Sequence, residues 1–212
     1  MALYVGGTAV TGTQTLDATT LSGNLPAISG ASLTGISSAF VQTGRVLLAS
    51  SDQITLDNCF TSDYENYLMV LSDINCTADS QSLYMRLRTG GASGSTDTSS
   101  QYRYAVRYYD DDGSSAGGTG ADVQQFRLAA DSEENADWKG YNGFFTVYQP
   151  QLNTSTRIAG YGSHTRNPSD DIVSSYNAMH YDSSAVHTGI YLYYGPGIRS
   201  GASVTVWGIN TT

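Results

Sequence analysis

Residues 82–88, SLYMRLR, alternate without a break: Leu83, Met85 and Leu87 fall on one side, Tyr84, Arg86 and Arg88 on the other. A side-chain period of two belongs to an extended strand that shows one face to a core and the other to water. Strands of this kind form antiparallel sheets packed on one side. The run QYRYAVRYY (residues 101–109) behaves alike, setting Arg103 and Arg107 opposite Tyr102, Tyr104, Val106 and Tyr108. Working outward, further strand-like runs are GRVLLAS (44–50), QITLDNCF (53–60), NYLMVLSDI (66–74), VQQFRLAA (123–130), GFFTVYQ (143–149), TRIAGYGS (156–163), IVSSYNAMHY (172–181), GIYLYYG (189–195) and SVTVWGI (203–209). Turn formers separate them, as in TGGASGSTDTSS (89–100), DDDGSSAGGTGAD (110–122) and GPGIRSGA (195–202). Many short strands at fairly even spacing predict an all-β fold, an antiparallel β-sandwich of jelly-roll type. No stretch carries a helical stripe; DSEENADWKG (131–140) offers one turn at most.

Composition agrees. The 212 residues include 23 Gly and 16 Tyr, only 14% are charged, and Lys139 is the single lysine. Such a mixture favours strands and turns over helices. A net charge of -9 argues against nucleic acid, whose phosphates require a basic footprint. The N-terminus lacks the basic start and apolar core of a secretory signal, and no run is long enough to span a membrane. The chain is therefore expected to be made in a cytoplasm, without membrane insertion. Cys59 and Cys76 lie in or beside apolar runs; a disulfide is one option, and buried free thiols suit a reducing compartment better.

The first part of the chain has a different texture. Between Asp17 and Arg45 there is no charge, and SGNLPAISGASLTGI (22–36) sets Leu25, Ile28, Leu33 and Ile36 among Gly, Ala, Ser, Thr and Pro. A segment so poor in aromatic residues cannot build its own core. A boundary near Ser38 follows: an extended arm, residues 1–38, and a β-sandwich head, residues 39–212. Leu16, Leu21, Leu25, Ile28, Leu33 and Ile36 have no partner within the arm. Three copies wound about one axis would bury them, so a homotrimer is expected.

Catalytic constellations are thin. His164, His180 and His187 show neither HxH nor HExxH spacing, and GYGSH (160–164) lacks the G-x-S-x-G order. Ser163 and His164 are neighbours on a strand and point apart. Asp110–Asp112 fail the register of a calcium loop and read as a hairpin tip. The pairs Glu133–Glu134 and Asp170–Asp171 point apart too. No enzyme, cofactor or metal is expected. The aromatic residues are more suggestive, because Tyr and Trp supply flat apolar contact with a polar handle. Tyr102, Tyr104, Trp138, Tyr191 and Tyr193 are candidate ligand contacts, weighed against the alternative that they cover a sheet or a subunit interface.

MALYVGGTAV (1–10) followed by NLPAISGASLTGI (24–36) resembles the opening of phage tail-fibre and related virion structural proteins, especially of marine and cyanobacterial phages. LPAISGASLTGI is similar to their recurrent LPA-(I/L)-(D/S)-G-(S/A)-x-LTGI motif. CFTSDYENYLMVLSDI (59–74), LYMRLRTGGA (83–92) and the closing SVTVWGI resemble a C-terminal domain found in such proteins. The resemblance implies a non-enzymatic virion component, a homotrimer with an N-terminal anchor, including Leu3, Tyr4 and Val5, and a β-sandwich head. Long fibres carry many copies of the motif and this chain has about one, so a short tail fibre or fibre tip fits better. Its partners would be itself, other virion proteins through the arm, and a host surface glycan or protein. A capsid or collar decoration protein making only protein contacts is the alternative, and a polysaccharide-degrading enzyme the third. The place of action would be the virion exterior, after assembly in the host cytoplasm.

Overall fold

The computed structural model describes residues 4–5, 8–9, 39–50, 52–78, 80–132, 140–166 and 171–210. The chain divides into two units, Met1–Ser37 and Ser38–Thr212. In the first, β1 (Tyr4–Val5) and β2 (Thr8–Ala9) pair antiparallel, Tyr4 opposite Ala9 and Val5 opposite Thr8. Leu3 and the six arm residues from Leu16 to Ile36 lie outside the described residues.

The second unit holds β3 (Phe40–Leu47), β4 (Ile54–Leu56), β5 (Asn66–Ile74), β6 (Gln81–Thr89), β7 (Ser95–Thr96), β8 (Tyr102–Asp110), β9 (Ser115–Val123), β10 (Phe126–Ser132), β11 (Tyr141–Tyr148), β12 (Arg157–Arg166), β13 (Asp171–Tyr181), β14 (Gly189–Tyr193) and β15 (Ser203–Ile209). One 3-10 turn, Gly91–Ser93, is the only helical segment among its described residues. The alternation that fixed SLYMRLR as a strand is kept: Leu83, Met85 and Leu87 are fully buried on β6.

The strands form one path of antiparallel pairs with a corner in it. A larger sheet runs β3-β15-β5-β11-β12-β13-β8-β9, and a smaller one runs β10-β6-β14-β4 with β7 on the edge of β6. A single pairing, Ser132 with Arg166, joins β10 to β12. The inward faces share one core. Tyr67, Met69 and Leu71 of β5, Phe145 and Val147 of β11 and Val204 and Val206 of β15 come from the larger sheet. Ile54, Leu83, Met85, Leu87, Phe126, Leu128, Ile190 and Leu192 come from the smaller. The fold is all-β with two antiparallel sheets, consistent with a β-sandwich.

One segment departs from its sequence reading. Residues 115–122, expected as part of a Gly-rich turn over 110–122, form together with Val123 the edge strand β9. Glycine is required there by proximity: a Cβ on Gly120 would lie 2.4 Å from the Tyr104 ring, and one on Gly117 would lie 2.9 Å from the Val106 carbonyl oxygen. The turn itself is confined to Asp111–Ser114, with Gly113 at φ +86°.

Candidate functional site

The larger sheet has a face turned away from the core, and the strand registers align its side chains into rows. Phe144 of β11 stands opposite Tyr161 of β12, Tyr161 opposite Tyr176 of β13, and Tyr176 opposite Arg107 of β8. The rings touch in sequence. Phe144 and Tyr161 have centroids 4.1 Å apart at 63°, Tyr161 and Tyr176 6.2 Å, and Tyr176 and Tyr109 5.8 Å in an edge-on contact. Arg107 closes the row, its guanidinium carbon 6.0 Å from the Tyr109 ring centre. Tyr176 is 58% exposed, Tyr161 and Tyr109 49% each, and Phe144 39%. Single exposed apolar residues are ordinary on a protein surface, whereas a contiguous exposed ridge of this kind marks a candidate contact surface.

Depressions flank the ridge because the rows beside it are small. On one side Ala159, Ala178 and Ala105 face each other on β12, β13 and β8, and floor a hollow of about 780 Å³. On the other side Asn142, Ser163 and Ser174 line a second hollow of about 480 Å³ beside Phe144 and Tyr161. The ridge thus offers ring surface on both flanks, one apolar and one rich in hydroxyl and amide groups.

The aromatic residues expected as contacts are distributed otherwise. Tyr102 is fully buried, against the expectation of a surface role. Its hydroxyl donates to the Asp97 carbonyl at 2.9 Å and accepts from the Leu87 amide at 3.1 Å, and its ring packs edge-on against Phe126 and Tyr181. Tyr104 is half-buried, packed against both apolar clusters of the interior. Tyr191 and Tyr193 lie half-exposed on the outer face of the smaller sheet, stacked at 5.2 Å, with Tyr84 5.6 Å from Tyr193 and Arg86 over the Tyr193 ring. They form a second cluster, on a different sheet from the ridge. Trp138 lies outside the described residues. The ridge residues Phe144, Tyr161, Tyr176 and Tyr109 escaped the sequence reading, although odd-even parity in GFFTVYQ, TRIAGYGS, IVSSYNAMHY and QYRYAVRYY sets each of them on the side away from the core.

The closest approach to a catalytic arrangement is internal. Thr156 Oγ1 lies 2.9 Å from His187 Nδ1, and His187 Nε2 lies 4.0 Å from Asp97 Oδ2. Tyr181 donates to the same Asp97 oxygen at 2.5 Å, and the Ser99 amide donates to Oδ1 at 2.8 Å. Burial pushes the His187 imidazole down to about 4, with the Asp97 carboxylate offsetting part of the effect. Burial works to raise the Asp97 carboxyl, but the hydrogen bonds from Tyr181 and Ser99 outweigh it and the carboxyl titrates below its usual range. Thr156 and His187 are both fully buried, so no substrate reaches the hydroxyl. The cluster pins loops together. Ser163 is exposed and His164 buried on β12, facing apart, with His164 Nε2 on the Ala130 carbonyl at 2.9 Å. Cys59 and Cys76 are free and buried, and burial pushes the Cys59 thiol up to about 12. Among the described residues no group of three or more His, Cys, Asp or Glu is placed to hold a metal ion, and no helix is long and apolar enough to cross a membrane.

Comparison of the chain with models of known protein families, with curated proteins and with solved structures finds no match.

Proposed function

We propose that the chain is a non-enzymatic structural protein of a phage virion, a short trimeric tail fibre or fibre tip. In this reading residues 1–38 form an arm that attaches to the particle. The jelly-roll-like sandwich of residues 39–212 contacts the host surface. The observation that carries it is the exposed ridge Phe144–Tyr161–Tyr176–Tyr109, which gives the head an aromatic contact surface of the kind recognition sites use. The arm motif LPAISGASLTGI and the closing SVTVWGI supply the link to fibre proteins. Topology supports the jelly-roll-like description: β3 and β15, the first and last strands of the head, are neighbours, and the chain crosses repeatedly between the sheets.

Two measurements test the reading. Native mass spectrometry of the whole chain should give a trimer, and Leu25→Asp or Ile28→Asp should reduce it to monomers. Antibody labelling of intact particles should mark the tail. A monomeric wild-type chain removes the shaft, and label on the capsid replaces the fibre with a decoration protein.

A further inference from the structure

The two flanks of the ridge differ in chemistry, and the one with the hollow of about 480 Å³ is uncharged: its lining includes no Asp, Glu, Lys, Arg or His. Two residues along the strands from Phe144, Tyr161 and Tyr176, the registers set Asn142 opposite Ser163 and Ser163 opposite Ser174. An aromatic row and a row of small polar residues therefore run side by side across the strands, about 7 Å apart. Asn142 is committed within the fold. Its Oδ1 accepts from the Asp73 amide at 2.9 Å, and its Nδ2 donates to the Gly140 carbonyl at 2.9 Å. The Ser163 and Ser174 hydroxyls and the Tyr161 and Tyr176 phenols form no hydrogen bond with a described residue. Arg107, at the end of the ridge, donates to Ser115 Oγ at 2.9 Å and does not line this hollow.

We infer that this polar flank binds a neutral glycan, a short chain of uncharged sugars laid along the ridge across β11, β12 and β13. The inference rests on the reading of this face as the contact surface of the head. A pyranose ring has an apolar C–H face and a rim of hydroxyls. The flank offers the complement of both: ring surface on Tyr161 and Tyr176, and uncommitted hydroxyls one row away. Charge narrows the class. Carboxylates border the polar row, Asp73 through its amide on Asn142 and Asp111 through Oδ2, which accepts from the Ile172 amide at 3.4 Å. With a net charge of -9 behind them, they oppose an anionic sugar or a nucleic acid. Size narrows it further. The ridge and this flank cover four strands and two rows, about 20 Å by 14 Å, far below the ~800 Å² per partner of a stable protein contact.

The test is titration calorimetry of the full chain at low and at physiological salt. The probes are oligomers of β-1,4-glucan, β-1,4-N-acetylglucosamine and α-1,6-mannan, with oligogalacturonate and a chitosan oligomer as charged comparisons. At least one neutral oligomer should bind at millimolar concentration or below, about tenfold tighter than either charged one and with affinity unchanged by salt. Tyr161→Ala should weaken it about tenfold or more. The paired Ser163→Ala, Ser174→Ala variant should weaken it about tenfold, as the loss of two hydrogen bonds predicts. Thr119→Ala, in the opposite hollow, should leave it unchanged. Circular dichroism of each variant confirms folding. Failure of every neutral oligomer to bind at millimolar concentration overturns the inference, as does tighter binding of a charged one. So does weakening by Thr119→Ala with none in the serine pair, which would move the ligand to the alanine flank. So does a Tyr161→Ala, Tyr176→Ala variant that changes the native mass and not sugar binding, for it would make the face a subunit interface. Neutral-sugar binding by a chain absent from the particle would uphold the site and defeat the virion role. A tail-located chain that binds no sugar would do the reverse, so the two failures are distinguishable.

Discussion

Phe144 and Tyr161 meet across the β11–β12 pair with ring centroids 4.1 Å apart and planes at 63°, although both rings remain substantially exposed. An edge-on pair of this kind is worth about 0.5–1.5 kcal/mol beyond the area it covers. A double-mutant cycle with Phe144→Ala and Tyr161→Ala should therefore give a coupling near 1 kcal/mol in urea unfolding, with both single variants folded. Zero coupling would mean that the rings do not hold this arrangement in solution.

Directly behind the ridge, Gly160 tolerates no side chain. A Cβ there would stand 2.2 Å from the Phe144 carbonyl oxygen and 2.7 Å from Phe145 Cα, both backbone atoms that cannot swing aside. Gly160→Ala should destabilise the head by about 3 kcal/mol, toward the upper end of overpacking costs. Gly118→Ala, whose Cβ would meet nothing closer than 3.5 Å, should cost much less. Equal unfolding midpoints for the two variants would contradict the β11–β12 register.

These glycines show how much of the fold was legible. The parity of Leu83, Met85 and Leu87 declared the strand and its buried side, because alternation lies within one segment. Strand β9 was not legible, because glycine reads as turn until the Tyr104 ring that demands it is in place. The ridge was hidden for a related reason. Phe144, Tyr161 and Tyr176 belong to three strands, and only the registers among β11, β12 and β13 bring them into line. Tyr102 misled in the opposite direction. Its parity with Val106 and Tyr108 marked it as inward, and its phenol finds polar partners at the Asp97 carbonyl and the Leu87 amide.

The His187 cluster predicts acid sensitivity. The folded imidazole titrates near 4 against an ordinary 6.5, so between these values the unfolded chain binds the extra proton. Stability from this group is complete above about pH 6.5 and falls as pH drops toward 4, by about 1.4 kcal/mol per unit and about 3 kcal/mol in all. The depressed Asp97 carboxyl adds a further loss at still lower pH. Thermal unfolding between pH 7.5 and 4.5 should show the decline, and His187→Gln should flatten it. An unchanged slope in that variant would place the acid sensitivity elsewhere.

Arg88 anchors the edge of the smaller sheet. Its Nε and Nη2 donate to the two oxygens of Asp57 at 2.6 and 3.1 Å, its Nη1 donates to Thr96 Oγ1 at 2.7 Å, and Nη2 also donates to the Gly94 carbonyl. The pair is largely screened from solvent, with side chains 11% and 23% exposed. Arg88→Ala leaves Asp57 without its cation and should cost about 3 kcal/mol in urea unfolding. Arg88→Lys should recover only part of this, because an ammonium cannot reproduce the fork. Full recovery by lysine would show that charge alone matters at this position.

In the proposed role of a virion fibre, the head would meet the host through the outer face of its larger sheet. Competition for adsorption tests it most directly: purified chain is added to host cells before the parent phage, and the adsorption rate is measured. The account predicts that wild-type chain slows adsorption in a dose-dependent way and that a folded Tyr161→Ala, Tyr176→Ala variant does not. Adsorption unaffected by the wild-type chain, or slowed equally by the variant, would contradict it.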